Sequence, residues 1–463
     1  MQTVYLYGSG KRCEILLNIM KGSCFQVVGI IDSNLEKQGC RIDEYTVEPP
    51  TVLIDSGNEF VCVTFFSPLE HDPIWDDLQV KYGVDENRII SFHQMVIKAY
   101  EENEKLLVNS RNVIFGKEKK YCFDVSWKMG LGGVESWLLD LRKEFDKQRH
   151  EEIEWLEYEN DYFVGHDGLF ETDMVKAGTD RIIRSMPSTI VFSRVDEMML
   201  SAFLLKKRFP YLIKIIMAVH GACDGMYKDI LSYREGIDYY VCVSSGIKDE
   251  LINFGVDESK TSVMTIPVDY KERASDEYSL DNKDPIRLGY AGRLEVFHKR
   301  ADLLIELLKE VETRKINYKL YIAGEGSCYS AIQNFIDKHF LNKKVTLLGR
   351  VDRNAMANFW SDKDVALNLS DSEGRPLSNM EAMAGGCVPV VTYTPGSVED
   401  VENGMNGFVV PKGDIGAIAD RINHLDKNRE LLPLIGQKAK ESILPKISKK
   451  RHLDLWMNLF QTI

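Results

Sequence analysis

The chain has 463 residues, 44% hydrophobic and 28% charged, with a formal net charge of -13 and nine cysteines. That length exceeds one ordinary core, so two or three domains are expected, and the acidic balance argues against non-specific binding to nucleic acid. No apolar run approaches the roughly 20 residues that span a bilayer, and "MQTVYLYGSG" reads as a strand and a glycine turn rather than a signal peptide, so a cytoplasmic protein is expected.

Residues 1–105 read as a small Rossmann-like α/β unit. Strands are predicted in "TVYLYG", "VVGIID", "EFVCVTFF" and "RIISF", with a helix in "CEILLNIM"; this alternation implies a parallel sheet. "YGSGKRCEILL" begins like a dinucleotide-binding turn and Asp32 ends the second strand, where such folds hold a ribose, but Cys13 stands where the third glycine belongs. Three readings follow: a cofactor-free module for docking or oligomer assembly, a nucleotide or sugar-nucleotide site, or an NAD(P) site. The polar stretch Ala99–Asn112 is read as an exposed helix or linker.

Residues 106–280 form a second α/β series. Strand "YCFDVSW" leads through "MGLGGVE" into helix "VESWLLDLRKEF", followed by strands "STIVFS", "IKIIMAVHG" and "YYVCVSSG". Gly132 and Gly133, just before a helix, let bare backbone N–H groups approach a phosphate or sugar oxygen, although glycines also simply make turns. His220 follows an apolar strand. In "LLKKRFPYLIK", Lys206, Lys207 and Arg208 are either the solvated end of a helix or a surface that meets anionic lipid at the inner membrane face. The charged run Asp269–Pro285 is read as a hinge.

Residues 281–445 carry the third series, with strands "IRLGYAGR", "YKLYIAG", "KVTLLG", "DVALNLS" and "VPVVTY". "SEGRPLSNMEAMAGGCVPVV" predicts a helix over Pro376–Ala384, stopped by Gly385 and Gly386. Glu373 then lies in a strand-to-helix loop at the carboxyl edge of a sheet, where open α/β sheets bind ligands, and Glu381 leans back toward the same rim. Two acceptors beside free helical N–H groups suit a ligand with hydroxyls and phosphate, as in a sugar nucleotide. Arg293, directly after a strand, and Lys299 six residues on are candidates to stabilise negative charge growing on a departing diphosphate, although Lys299 beside Arg300 also reads as a solvated residue at a helix start. Residues 446–463 have helical apolar spacing and are expected to pack back toward the second unit.

From about residue 120 the chain resembles the family 4 retaining glycosyltransferases of the GT-B fold, on four motifs in order: "LGGVE", "AVHG", "AGRLEVFHK" and the Glu373 to Glu381 pair, which looks like the family's E-x7-E signature. The resemblance implies an α/β, GT-B architecture of two facing Rossmann-like domains, preceded here by a small Rossmann-like domain similar to the first domain of bacterial sugar acyltransferases. It implies transfer of a sugar from a UDP- or GDP-sugar to a glycan or lipid-linked hydroxyl, with retention and without a metal, in bacterial surface polysaccharide synthesis. Glu381 would hold the ribose, while Glu373, Gly374, Arg375, Pro376 and Leu377 would face the donor sugar. His220 would line the cleft near the reacting carbon; Gly324, Gly326 and Arg350 would surround the base. Arg375 departs from the aromatic residue found in many relatives, which suggests an acidic or phosphorylated donor group. The alternative is an NAD(P)-dependent oxidoreductase or epimerase in the first domain, or a sugar-nucleotide-binding protein without catalysis.

Overall fold

The computed structural model describes residues 2–21, 23–64, 74–101, 120–125, 133–157, 172–221, 224–273 and 278–463. Gly132, most of the 99–112 stretch and residues 274–277 of the expected hinge lie outside the described residues.

Three six-stranded sheets follow one another along the chain. The first contains β1 (Gln2–Tyr7), β2 (Phe25–Ile31), β3 (Arg41–Ile42), β4 (Tyr45–Glu48), β5 (Phe60–Val63) and β6 (Ile89–Ser91), in the order β3-β4-β2-β1-β5-β6. All its pairings are parallel except the β3–β4 hairpin. The second contains β7 (Tyr121–Asp124), β8 (Ile153–Leu156), β9 (Thr189–Phe192), β10 (Lys214–Val219), β11 (Tyr239–Cys242) and β12 (Thr261–Val263), in the order β12-β11-β10-β9-β7-β8. The third contains β13 (Ile286–Ala291), β14 (Tyr318–Ala323), β15 (Val345–Gly349), β16 (Val365–Asn368), β17 (Val388–Thr392) and β18 (Phe408–Val410), in the order β15-β14-β13-β16-β17-β18. Helices cover both faces, which is why strands such as "VPVVT" are buried along their whole length.

In the third sheet the chain leaves β13 toward β14 and β15, then returns to the other side of β13 with β16. The loops after β13 and β16 therefore part in opposite directions and open a crevice at their carboxyl ends, the usual ligand position of an open α/β sheet. Residues 292–300 and 369–376 are those two loops. The helix that follows runs Leu377–Ala384 with Pro376 as its cap residue, and Gly386 supplies the left-handed turn (φ 83°) that ends it.

The helix Lys449–Thr462, capped by the Ser448 hydroxyl, lays Trp456 and Phe460 on the second sheet. Phe460 stacks on Tyr121 with ring centroids 4.4 Å apart, and Trp456 meets Phe123 edge-on at 5.2 Å.

Two expectations about connections change. Ala99 and Tyr100 are each 1% exposed, in the helix Phe92–Glu101, because that helix joins the first sheet to the second in one continuous core. His93 seals the junction, with Nδ1 3.2 Å from the Tyr233 hydroxyl and Nε2 3.5 Å from Asp229. The described parts of Asp269–Pro285 are not a free hinge either. Arg273 pairs with fully buried Asp364 at 2.8 Å, and the Tyr278 hydroxyl donates to the Gly386 carbonyl at 2.7 Å, so both are tied to the third sheet.

Candidate functional site

The loop after β13 is held in an unusual shape. His298 (φ 61°) and Arg300 (φ 48°) both occupy the left-handed region, on either side of Lys299. Such conformations cost about 1–3 kcal/mol each and persist where the surroundings enforce them. Here the enforcement comes from the loop after β16: the Asp371 N–H donates to the His298 carbonyl at 2.8 Å, and Arg300 reaches the Asp371 carboxylate at 3.0 Å. The result turns Lys299 toward Glu373. Its Nζ donates to Glu373 Oε1 at 2.6 Å, and the Ser370 hydroxyl donates to the same oxygen at 2.7 Å. The side chains of Lys299 and Glu373 are 20% and 10% exposed, so the pair is largely shielded while keeping an opening to solvent. Arg293 stands on the same loop with its side chain exposed, and its charge helps keep the His298 imidazole neutral, after burial as the larger cause.

Glu381 has different partners. It is 8% exposed, and the Trp360 indole N–H donates to its Oε2 at 3.4 Å. Burial pushes its carboxyl up to about 7, against the opposing pull of Arg353. Arg353 is itself held by Asp140 of the helix Gly133–Gln148, at 2.5 Å from Nη2 and 2.9 Å from Nε. Asp140 packs with the second sheet, so this ion pair crosses the cleft beside Glu381.

His220 follows β10, with its ring centroid 4.5 Å from that of Trp137. Its Nε2 is buried and has no hydrogen-bond partner among the described residues. Burial pushes the imidazole down to about 3, helped by nearby His452 and Arg194, so it stays neutral near pH 7. Gly374 lies directly on this segment: a Cβ there would collide with the His220 carbonyl oxygen. Gly133 similarly faces Leu377, 3.4 Å from where its Cβ would stand. These two glycines are thus points where the second and third sheets' loops touch.

Gly324 (φ 155°) and Gly326 (φ 154°) are glycines for a reason internal to the third unit. Side chains there would collide with the carbonyls of Gly292 and Leu294, so they let the β14 loop lie against the loop that carries Arg293. Arg350 is exposed after β15.

Arg375 is a correction. It was expected to face the donor sugar, but it is 6% exposed and its donors are taken up by protein. Nε and Nη2 clasp Asp400 at 2.8 and 2.6 Å, while Nη1 donates to the Val243 carbonyl at 2.9 Å and to the Thr265 hydroxyl at 2.8 Å. A guanidinium with a bidentate carboxylate and two further acceptors is a clasp between the units, so the case for an acidic donor group falls with it.

The first domain's Asp32 is also engaged. Its Oδ2 accepts from the Ser9 N–H at 2.9 Å and hydroxyl at 2.5 Å, and Lys37 stands 3.4 Å away. The carboxylate braces the Gly8–Gly10 turn, where a ribose-binding residue would face outward. In the basic stretch, Lys206 pairs with Asp238 and Lys207 lies 3.7 Å from Glu235, which removes most of the net positive charge expected there. Among the described residues no helix is long and apolar enough to cross a membrane.

Sequence reasoning missed Trp137, Arg353, Asp140 and His452. The only signal for the last was the four-residue interval between His452 and Trp456, one turn of a helix.

Residues 271–442 match the family described as glycosyl transferases group 1. The poly(ribitol-phosphate) alpha-N-acetylglucosaminyltransferase of Staphylococcus aureus (strain COL) is 33% identical over 177 residues, 38% of this chain and 35% of that protein. The chain therefore aligns with about a third of that relative's length. A crystal structure of an S. aureus TarM mutant, in complex with Fondaparinux, alpha-GlcNAc-glycerol and UDP, superposes with a TM-score of 0.53 at 15% identity, covering 99% of this chain and 100% of that one. Anabaena HepE in complex with UDP-glucose gives a TM-score of 0.58 at 15% identity over 75% of this chain and 100% of its own. The architecture is thus the GT-B fold of glycosyltransferases with an additional Rossmann-like sheet at its amino end, and its third unit carries the match to glycosyl transferases group 1.

Proposed function

We propose that the chain is a retaining glycosyltransferase that moves a sugar from a nucleotide-diphosphate sugar to a hydroxyl of a glycan or glycolipid in bacterial surface polysaccharide synthesis. The observation that carries this reading is the shielded Lys299–Glu373 pair at the crevice between β13 and β16, with exposed Arg293 on the same loop. Cations so placed stabilise the charge that grows on the diphosphate as the glycosyl bond breaks, and they act most strongly where water is partly excluded. Glu373 then has two tasks: it holds Lys299 in place and offers its other oxygen to the donor's hydroxyls. Glu381 serves the ribose, and the backbone around Gly324 and Gly326 meets the base.

Transfer follows a front-face course, in which the departing phosphate oxygen takes the proton of the incoming hydroxyl. Neutral His220 lies beside Gly374 and lines the sugar's side of the cleft. Arg293 and Lys299 supply the positive charge for the diphosphate, and the first domain serves docking and assembly. Uracil is the favoured base because UDP or UDP-glucose accompanies the solved neighbours named above.

The test is ligand-observed NMR with UDP-, GDP- and ADP-sugars and NAD(P), on wild type and Lys299→Ala, followed by NMR assignment of the product's anomeric configuration. One sugar nucleotide that binds wild type and weakens in the variant supports the reading. Binding of NAD(P) alone, or an inverted product, rejects it.

A further inference from the structure

His452, on the helix Lys449–Thr462, receives two hydrogen bonds at one atom. Its Nε2 lies 3.0 Å from the indole nitrogen of Trp137 and 3.1 Å from that of Trp456. An indole N–H can only donate, so an imidazole nitrogen that accepts from two of them carries no proton of its own. The proton of His452 is therefore on Nδ1, which is buried and has no hydrogen-bond partner among the described residues, while burial pushes the imidazolium down to about 4. Near neutral pH the ring is an uncharged double acceptor with one fixed tautomer.

One of these two partners leads to the candidate site: Trp137 packs on the His220 ring at 4.5 Å. The His220 carbonyl lies against Gly374 so closely that no side chain fits there. The contacts form a chain that runs from His452 through Trp137 and His220 to Gly374. His220 Nε2 has no hydrogen-bond partner among the described residues, and the Trp137 ring packs against that imidazole.

We propose that His452 is a positioning residue: by accepting from Trp137 it fixes the indole, and through it the His220 ring, against the donor loop at Gly374. This rests on the glycosyl-transfer reading above. It gives the carboxyl-terminal helix a task beyond covering the apolar side of the second sheet.

The test uses the full chain. His452→Leu removes the acceptor at similar volume, and His452→Gln returns an oxygen near the position of Nε2. In 15N-labelled protein, with indole resonances assigned through Trp137→Phe and Trp456→Phe, His452→Leu should move both indole N–H signals upfield. It should lower kcat roughly tenfold while donor KM changes less than about threefold, as expected when a reacting group is misplaced and donor binding is kept. His452→Gln should restore the Trp137 signal and most of kcat. Trp137→Phe, which keeps a ring but no donor, should resemble His452→Leu, whereas Trp456→Phe should stay within about twofold of wild type.

Unmoved indole signals, wild-type kcat in His452→Leu, or a loss that merely follows the folded fraction seen by circular dichroism would overturn the proposal. If His452→Leu does not fold, His452→Gln and Trp137→Phe decide. If wild type transfers no sugar to any acceptor, the glycosyl-transfer reading fails and takes the catalytic part of this proposal with it. The indole signals would still report separately whether His452 fixes Trp137.

Discussion

Replacing Arg375 with methionine keeps the length of the side chain and removes all of its donors. In the structure Asp400, with a side chain 4% exposed, then retains Lys446 at 2.9 Å as its cation. Breaking a buried ion pair typically costs about 3–5 kcal/mol, and the surviving lysine argues for the lower end. The Val243 carbonyl and Thr265 hydroxyl also lose a donor, which adds about 1 kcal/mol where water cannot enter. The expected destabilisation is therefore about 3–4 kcal/mol, or roughly 6–16 °C in Tm for a unit of this size. Urea unfolding followed by tryptophan fluorescence measures it, and the denaturant slope should stay constant because the surface exposed on unfolding is the same. Relative turnover of neutral and acidic donor sugars should not change. A loss below about 1 kcal/mol, or a switch in donor preference at unchanged stability, would show that Arg375 reaches the ligand and does not act as a clasp.

Lys299→Ala should lower kcat by about 10²- to 10³-fold with a smaller change in donor KM, since its charge matters most as the diphosphate departs; steady-state kinetics with equal loss in both parameters would contradict that role. For Glu381 the sign follows from burial, which lifts its carboxyl to about 7. The ionised form that accepts from ribose hydroxyls is present above that value and lost below it, so nucleotide affinity should fall toward tenfold per pH unit on acidification. Calorimetric titrations from pH 6 to 8.5 would test this, and Glu381→Gln should flatten the profile; a wild-type profile already flat would rule the ribose role out. Gly374→Ala forces a methyl group into the His220 carbonyl, so the two loops must separate. Donor KM should rise and kcat fall while Tm changes by only a few degrees, and wild-type kinetics in this variant would show that the close approach is not needed for turnover.

Much of the architecture was legible because parallel strands covered on both faces leave uninterrupted apolar runs, such as "IKIIMAV" and "DVALNL". The short edge strands β8, β12 and β18 and the β3–β4 hairpin were not anticipated, because three or four residues at a sheet edge carry little periodicity. The structure brings Lys299 and Glu373 within 2.6 Å because a loop after a strand and a loop before a helix at one sheet edge have few places to go. Arg375 was misread because its neighbours in sequence line the crevice, while its partners Asp400, Val243 and Thr265 come from other segments.

The amino-acid sequence by itself determined the alternation of strands and helices, the glycines where loops must approach, and the residue types able to meet hydroxyls and phosphate. Those are local properties, set by backbone sterics and by periodicities of two and 3.6 residues. Only the tertiary structure decided which charges are spent on holding the units together and which stay near the crevice. Arg375 and Arg353 are held by carboxylates distant in sequence, Lys299 is turned toward Glu373 by two left-handed residues, and His452 meets Trp137 across 315 positions. The pairing of a charge depends on distance and burial in space, and neither is written into its immediate neighbours along the chain.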